Sequence, residues 1–143
     1  MIKYYPRRPV KSFQDLEIYQ KLLANGVMVV KAVNDCQTTP LLEELIKNPL
    51  IKYVVDLPRL IAKAHSIRFD DFKGSQETLE LAMLNCNLAV VHLELFRDLV
   101  RPGAGVAPVL DSQSHSEIIK SYLTVRYKIL HLQKTWQKFK EGV

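Results

Sequence analysis

The chain has 143 residues, of which 48% are hydrophobic and 24% charged, enough for one domain with a sizeable core. Its 20 lysines and arginines exceed its 15 aspartates and glutamates, and the net charge of +5 is compatible with a nucleic-acid partner. The two cysteines exclude a disulfide framework, and the N-terminus lacks the apolar segment of a secretory signal. No run approaches about 18 consecutive apolar residues, so we expect a cytoplasmic protein that does not span a membrane.

Residues 1–11 are predicted to form a basic, proline-containing arm, and residues 12–143 a single domain. Such an arm is more often a solvated tail than a hook for nucleic acid. Ser12 and Asp15 have the spacing of a capping box, which predicts a first helix that runs to about Asp35.

Apolar side chains recur at helical spacing along this first helix. They are Leu16, Tyr19, Leu23, Val27 and Val30. Gly26 lies within the same run, where glycine costs up to about 1 kcal/mol of helix stability relative to alanine. This glycine either marks the close approach of a neighbouring helix or has no structural role.

Thr39 is predicted to cap a short helical piece that Asn48–Pro49 interrupts. A second helix follows from about Pro49 to Phe69. Its inward positions are predicted to be Leu50, Val54, Leu57, Ile61 and Ala64. Pro58 removes one backbone hydrogen bond from this pattern, which predicts either a kink near Val54–Leu57 or two shorter helices.

The third predicted helix runs from a cap at Ser75 to Val100 and is apolar on two opposite sides. The first stripe consists of Leu79, Ala82, Cys86, Val90, Leu93 and Val100. The second stripe consists of Leu81, Leu84, Leu88, Val91, Leu95 and Leu99. A surface helix usually has one apolar stripe, so we expect the bundle to cover one side and another copy of the protein to cover the other. The residues predicted to lie at a subunit or helix interface are Leu81, Leu84, Leu88 and Leu95.

A segment with glycines and prolines follows the third helix, and Ser114 and Glu117 then form a second capping-box pattern. The pattern predicts a fourth helix from about His115 to Lys140. The seam of this helix consists of Ile118, Tyr122, Val125, Ile129, Leu132, Trp136 and Phe139. Its opposite face consists of Lys120, Tyr127, His131, Lys134 and Lys138. Four long helices with short connections predict an all-α fold, an antiparallel four-helix bundle with up-down-up-down topology.

No pattern in the sequence indicates catalysis. The chain has no Glu-x-x-His pair of the kind that binds di-iron sites, and its four histidines are scattered. The glycines at Gly103 and Gly105 lack the following lysine of a phosphate-binding loop. Cys86 lies in an apolar stripe, where a thiol behaves as a small hydrophobic side chain. We therefore expect no enzyme activity, no metal and no cofactor.

Charge is segregated among the predicted helices, since the second and fourth are basic and the third is acidic. Lysine and arginine side chains on such faces bind phosphates without a specific sequence pattern. The residues predicted to contact nucleic-acid phosphates are Arg59, Lys63, Lys120, Arg126, Lys134 and Lys138. In one monomer such residues are ordinarily a solvated basic face, but a symmetric assembly repeats the patch and strengthens its field.

The start of the first helix resembles that of bacterial four-helix-bundle proteins encoded in intervening sequences of 23S rRNA genes. That family begins with Phe-x-x-Leu and then an aromatic residue followed by Gln and Lys, and the matching residues are Leu16, Tyr19, Gln20 and Lys21. A family motif, Ser-Ile-Pro-x-Asn-Ile-Ala-Glu-Gly, falls on residues 56–64, where Pro58, Ile61 and Ala62 match. The Asn, Glu and Gly positions of that motif hold Leu60, Lys63 and Ala64 in this chain.

The resemblance extends from Ser12 to about Lys140, and the family is similar to the accessory variability proteins of diversity-generating retroelements. Those proteins form pentameric barrels that bind nucleic acid and a reverse transcriptase, which implies a homopentamer here. We therefore expect a non-catalytic homo-oligomer that binds RNA or another nucleic acid through a basic surface. The alternative is a protein-interaction scaffold, either an accessory subunit of a reverse transcriptase or a structural ring with no nucleic-acid role.

Overall fold

The computed structural model describes residues 11–100 and 108–141, and this part of the chain contains four long helices and no β-strand. The helices are α1 (Glu17–Asn34), α2 (Asn48–Ile67), α3 (Phe72–Leu99) and α4 (Ser112–Glu141). The all-helical prediction is therefore confirmed. Residues 1–10 of the predicted N-terminal arm and residues 101–107 of the predicted glycine-containing loop lie outside the described residues.

The four helices pack around one core in chain order, with α4 returning to contact α1. Ser75 Oγ of α3 donates a hydrogen bond to the Ala64 carbonyl of α2 at 2.7 Å, which joins the end of one helix to the start of the next. Asn25 Nδ2 of α1 donates to Ser121 Oγ of α4 at 2.9 Å. Neighbouring helices are antiparallel, as the positions joined by these and other hydrogen bonds show. Because each helix packs mainly on its neighbours in chain order and α4 on α1, α1 lies diagonally opposite α3, and α2 lies diagonally opposite α4.

A second set of polar contacts fixes the register of α3 against α4. Gln133 Nε2 donates to the Gln76 carbonyl at 3.2 Å, and Gln76 Nε2 donates to the Gln133 carbonyl at 3.4 Å. At the other end of the same pair, His115 Nε2 lies 3.2 Å from the Leu93 carbonyl. Because each partner is buried, a shift of α4 by one turn would leave these groups without hydrogen bonds.

The core confirms the predicted inner faces of α2 and α3. Every predicted inward residue of α2 is fully buried, as are Leu79, Ala82 and Cys86 in the first stripe of α3. The helical repeat of 3.6 residues brings each set to one side, and burial of that side drives the packing.

The apolar residues that repeat along α1 in the sequence are not the ones that form its buried face. Leu23 and Val27 remain 44% and 47% exposed, whereas Leu22 and Val29 are fully buried. This helix carries two apolar stripes, and the buried one is the stripe that contains Gly26. This stripe is the buried one because Gly26 lets a neighbouring helix approach closely.

That neighbour is α2, which confirms the close-approach interpretation of Gly26. A Cβ atom at Gly26 would lie 3.0 Å from the Val54 carbonyl oxygen. Pro58 has no N–H group, so it cannot donate the helical hydrogen bond that this carbonyl would otherwise accept. The helix nevertheless continues through Pro58 from Asn48 to Ile67, so the alternative of two shorter helices is wrong.

Contrary to the prediction, Asn48–Pro49 does not interrupt the helical segment. Thr39 caps a short helix, Pro40–Leu42, by accepting a hydrogen bond from the Leu42 amide at 3.3 Å. A π-helical turn, Glu43–Lys47, then leads directly into α2. A π turn bonds each amide to the carbonyl five residues back, which accommodates a proline that would clash with the carbonyl four residues back.

Three helix starts differ from the predicted ones. The Ser12–Asp15 capping box is present, but it closes a 3-10 turn, Phe13–Asp15, just before α1. Asp71, rather than Ser75, caps α3 by accepting from the Gly74 amide at 2.9 Å. Asp111, rather than Ser114, accepts the first-turn amide of α4. In α3 and in α4, an aspartate about one turn before the predicted cap accepts hydrogen bonds from the unpaired first-turn amides. Each helix therefore begins earlier than predicted.

The seam of α4 is only partly correct. Ile118, Tyr122, Val125 and Ile129 are buried, and Leu132 and Trp136 pack against the core with half-buried side chains. Phe139 is 72% exposed, so its assignment to the seam is wrong. The helix extends beyond the point where α3 and α2 still cover it.

Candidate nucleic-acid interface and assembly surface

The residues predicted to contact nucleic acid fall on two diagonal helices. Arg59 and Lys63 lie on α2, whereas Lys120, Lys134 and Lys138 lie on α4. All five are exposed. Because α1 and α3 separate these helices, the structure brings the residues of α4 together along one face but does not bring Arg59 or Lys63 to them.

The α4 residues form a lysine row, defined here as Lys120, Lys134 and Lys138. Its members lie within about 27 Å along the helix, from the rise of 1.5 Å per residue. Within the described chain, none of them has a carboxylate partner closer than 4 Å. By contrast, Lys128 on the side facing α1 lies 2.8 Å from Glu17 and lowers the pKa of that carboxyl group.

The remaining predicted residues have a different setting. Arg59 lies 3.3 Å from Asp56, a carboxylate that Lys52 also contacts at 3.0 Å. Arg126 is half-buried on α4, and its Nε has no hydrogen-bond partner among the described residues. The lysine row is therefore the part of the predicted site with freely available charge.

The residues predicted for the interface lie on the outer side of α3. We call this face the outer stripe: Leu81, Leu84, Leu88, Val91, Leu95 and Leu99. Leu88 is half-buried, and the other five are between 36% and 52% exposed. Six large aliphatic side chains on one helix face exceed the scattered apolar residues normal at a protein surface.

Because of the outer stripe, α3 is as apolar as some membrane-spanning helices. An 18-residue window of this helix has a mean hydropathy of 1.4, so by length and composition it could cross a membrane. The same window is 44% buried within the bundle, and core helices pass this test as well. No other helix in the described ranges meets it.

A second apolar surface lies between α1 and α2, away from the outer side of α3. This groove has a volume of about 590 Å³ and is lined mainly by apolar side chains. Among them are Tyr19, Leu23, Val27, Val55 and Pro58. Lys31 and Arg59 also line the groove. One molecule thus carries two apolar surfaces on different sides of the bundle.

The buried titratable groups have no reactive arrangement. Burial raises the pKa of the Cys86 thiol to about 12, and it also raises the pKa of the fully buried Tyr122. The Tyr122 hydroxyl has no hydrogen-bond partner in the described chain. The residues that the structure describes contain no group of three metal-ligating side chains. A thiol with so high a pKa is almost entirely protonated at neutral pH and is a poor nucleophile.

One cluster was missed by the sequence reasoning. Where the α2–α3 turn meets the C-terminal end of α4, a cavity of about 720 Å³ is lined by aromatic and cationic side chains. We call it the aromatic end cavity, lined by Phe69, Phe72, Trp136, Phe139, Arg68 and Lys140. The sequence signal that could have indicated it was Phe69 and Phe72 between the predicted second and third helices, together with Trp136 and Phe139 at helical spacing.

Comparisons with protein-family models, with curated proteins and with solved structures found no match to this chain.

Proposed function

We propose that this protein is a non-catalytic homo-oligomer that binds RNA or another nucleic acid through the lysine row of α4. The observation that supports nucleic-acid binding is the row itself, because its lysines are exposed and have no carboxylate partner in the described chain. Phosphate contacts dominate the affinity of such surfaces and require charge more than sequence pattern. The resemblance of the first helix to proteins encoded in rRNA intervening sequences agrees with this proposal.

The two separate apolar surfaces support assembly. An α3 outer stripe packed against the α1–α2 groove of the next copy would bury both surfaces, whereas a stripe-to-stripe dimer would leave both grooves open. Such a head-to-tail contact generates a ring when its rotation closes. Charge agrees with this arrangement, since Glu80 and Glu94 border the stripe at helical spacing and Lys31 and Arg59 line the groove. We propose a ring of five, the number that the resemblance implies.

Assembly can be tested with two variants that each disable one surface. Leu84→Glu with Leu95→Glu disables the stripe, and Val27→Glu disables the groove. Light scattering should give monomers for each variant alone. An equimolar mixture should give a dimer, because each partner retains the surface that the other lacks.

The control for this experiment is Leu41→Glu with Leu45→Glu, since both leucines are exposed but lie outside the two surfaces. It should keep the wild-type mass. A groove variant that assembles like the wild type would show a symmetric stripe-to-stripe contact. A monomeric wild type would contradict assembly altogether.

Nucleic-acid binding is tested with a structured RNA fragment over a salt series. Lys134→Gln with Lys138→Gln should weaken binding and reduce the slope of log K against log salt by about 0.9 for each phosphate that the variant no longer binds. The matched control is Lys21→Gln with Lys52→Gln, which removes the same charge from α1 and α2. An equal weakening in both double variants would assign the effect to net charge and contradict a site on α4.

A protein-interaction scaffold is the second candidate function, such as an accessory subunit of a reverse transcriptase or a structural ring. The exposed outer stripe of α3 favours it, because a partner protein could cover that face in place of a second copy. This function predicts that the wild type binds no RNA even at low salt. It also predicts that stripe variants lose the partner while the lysine variants retain it.

A further inference from the structure

The aromatic end cavity exposes aromatic side chains that do not contribute to the core. Phe69 and Phe139 are 84% and 72% exposed. Burial of such a ring is favourable, so this stabilisation is absent from the isolated bundle. The rings gather around one cavity, which distinguishes them from single exposed phenylalanines elsewhere on a surface.

The charged groups of this cavity are cations held against the rings. The Arg68 guanidinium lies 4.2 Å from the centre of the Phe69 ring and 6.0 Å from that of Trp136. The Lys140 ammonium lies 4.4 Å from the centre of the Phe72 ring. The described lining contains no carboxylate. The nearby Asp71 carboxylate already accepts a hydrogen bond from the Gly74 amide.

A ligand that suits this lining is flat, aromatic and negatively charged. A nucleotide has these properties, because its base stacks on aromatic rings and its phosphate pairs with arginine or lysine. The volume of about 720 Å³ falls in the range of ligand-binding clefts. Lys134 and Lys138 of the lysine row lie within one turn of Trp136 along α4 but on its opposite face, so a strand leaving the cavity would pass around α4 to meet these cations.

We propose that the aromatic end cavity binds single-stranded nucleic acid, with unpaired bases stacked on Phe69, Phe139 and Trp136 and phosphates held by Arg68 and Lys140. This inference deepens the proposed function and rests on it. It divides the surface into two parts with separate tasks. The lysine row attracts any phosphate backbone, and the cavity selects strands whose bases are free.

Trp136 provides a direct readout, because it is the only tryptophan in the chain. Titration with a ten-nucleotide oligouridine should quench its fluorescence as a base stacks beside it. A fully paired RNA duplex should bind through the lysine row with little quenching, since its bases are not available. Both titrations use the full-length protein, and binding is followed in parallel by anisotropy of labelled RNA.

Phe69→Leu with Phe139→Leu should weaken oligouridine binding by about tenfold or more, given the contribution of base stacking to such sites. Duplex binding should be unchanged. Tyr127→Leu is the matched control, because Tyr127 is another exposed aromatic residue of α4 outside the cavity. The exposed positions of Phe69 and Phe139 favour retention of the fold, which circular dichroism verifies.

The inference is overturned if the double variant binds oligouridine as tightly as the wild type, or if saturating oligouridine leaves Trp136 fluorescence unchanged. A changed mass of the double variant would instead place these rings at a contact between copies and would also overturn it. Failure of the proposed function is a separate result. In that case the wild type binds neither the duplex nor the single strand.

Discussion

Lys47 is a charged residue whose role depends entirely on the tertiary structure. It is only 7% exposed, and its ammonium donates to the carbonyls of Asn34 and Cys36 at 3.1 and 2.9 Å. It also contacts Glu43 at 3.2 Å. The ammonium thus satisfies carbonyls at the C-terminal end of α1, where no backbone donor follows. Sequence alone could not reveal this, since both carbonyl partners lie more than ten residues away along the chain.

The role of Gly26 could be predicted from the sequence, but its effect on which face of α1 is buried could not. Glycine in a helix predicts a close approach, and the Val54 carbonyl confirms it. Which of two apolar stripes becomes buried depends on where that approach occurs. The periodicity of Leu23 and Val27 does not indicate which stripe is buried, so the sequence alone could not predict the buried face of α1.

Gly26→Val should destabilise the protein by about 2 kcal/mol, because the added side chain meets a backbone carbonyl that cannot move without shifting α2. Chemical denaturation measures the change. Ala24→Val places the same side chain at an exposed position of the same helix and is the control. Helix propensity alone would make Gly26→Val less destabilising than Ala24→Val, because valine forms helices better than glycine and worse than alanine. A Gly26→Val effect no larger than that of Ala24→Val would therefore contradict the helix contact.

At the scale of the element, the buried faces of α2 and α3 were predictable from the sequence, but the helix ends were not. The inward residues of α2 and the first stripe of α3 follow from helical periodicity, because one side of each helix is clearly more apolar. Helix starts depend on which of several nearby polar side chains reaches the orphan amides. Asp71 and Asp111 were overlooked in favour of Ser75 and Ser114, although aspartate caps helices as well as serine does.

The cap of α4 should make stability depend on pH. Hydrogen bonds from the Ser114 amide and hydroxyl lower the pKa of Asp111 below its ordinary value of 3.8. This stabilisation is fully present above the ordinary pKa and is lost as the pH falls through the lower, folded-state value. Asp111→Ser keeps a capping oxygen without a charge, so it should lose less stability on acidification than the wild type does.

Urea denaturation midpoints from about pH 5 to about pH 2 measure this difference. Asp70→Ser is the control, because Asp70 is an exposed aspartate in the α2–α3 turn. Acid sensitivity of Asp111→Ser equal to that of the wild type would show that the cap does not titrate with folding.

At the scale of the whole molecule, the sequence predicted the number of helices and their order but not how the charged faces combine. Arg59 and Lys120 both lie on basic helices, yet these helices are diagonal in the bundle. Adjacency in space is set by packing, which the charge pattern does not encode. The two apolar sides of α3 could be predicted from the sequence because both stripes are long and regular. The groove between α1 and α2 could not, because it forms only when these two helices pack together.

An oligomer should have a thermal stability that depends on concentration, since dilution favours dissociation. A tenfold rise in wild-type concentration should raise the Tm by roughly 2–6 °C. Leu84→Glu with Leu95→Glu should remove this dependence. The measurement is a melting curve by circular dichroism over two decades of concentration. A constant wild-type Tm would contradict assembly through the outer stripe.

The separate placement of the stripe and the groove has a consequence for the proposed assembly. Each copy added head to tail would present another uncovered apolar surface, so only closure of a ring would end the addition of copies. The angle between the two surfaces then decides between a finite ring and an endless filament. That angle depends on how the helices pack inside the bundle, including the contact of Gly26 with the Val54 carbonyl, so under the proposed assembly a small residue of the monomer core would influence whether copies form a ring or a filament.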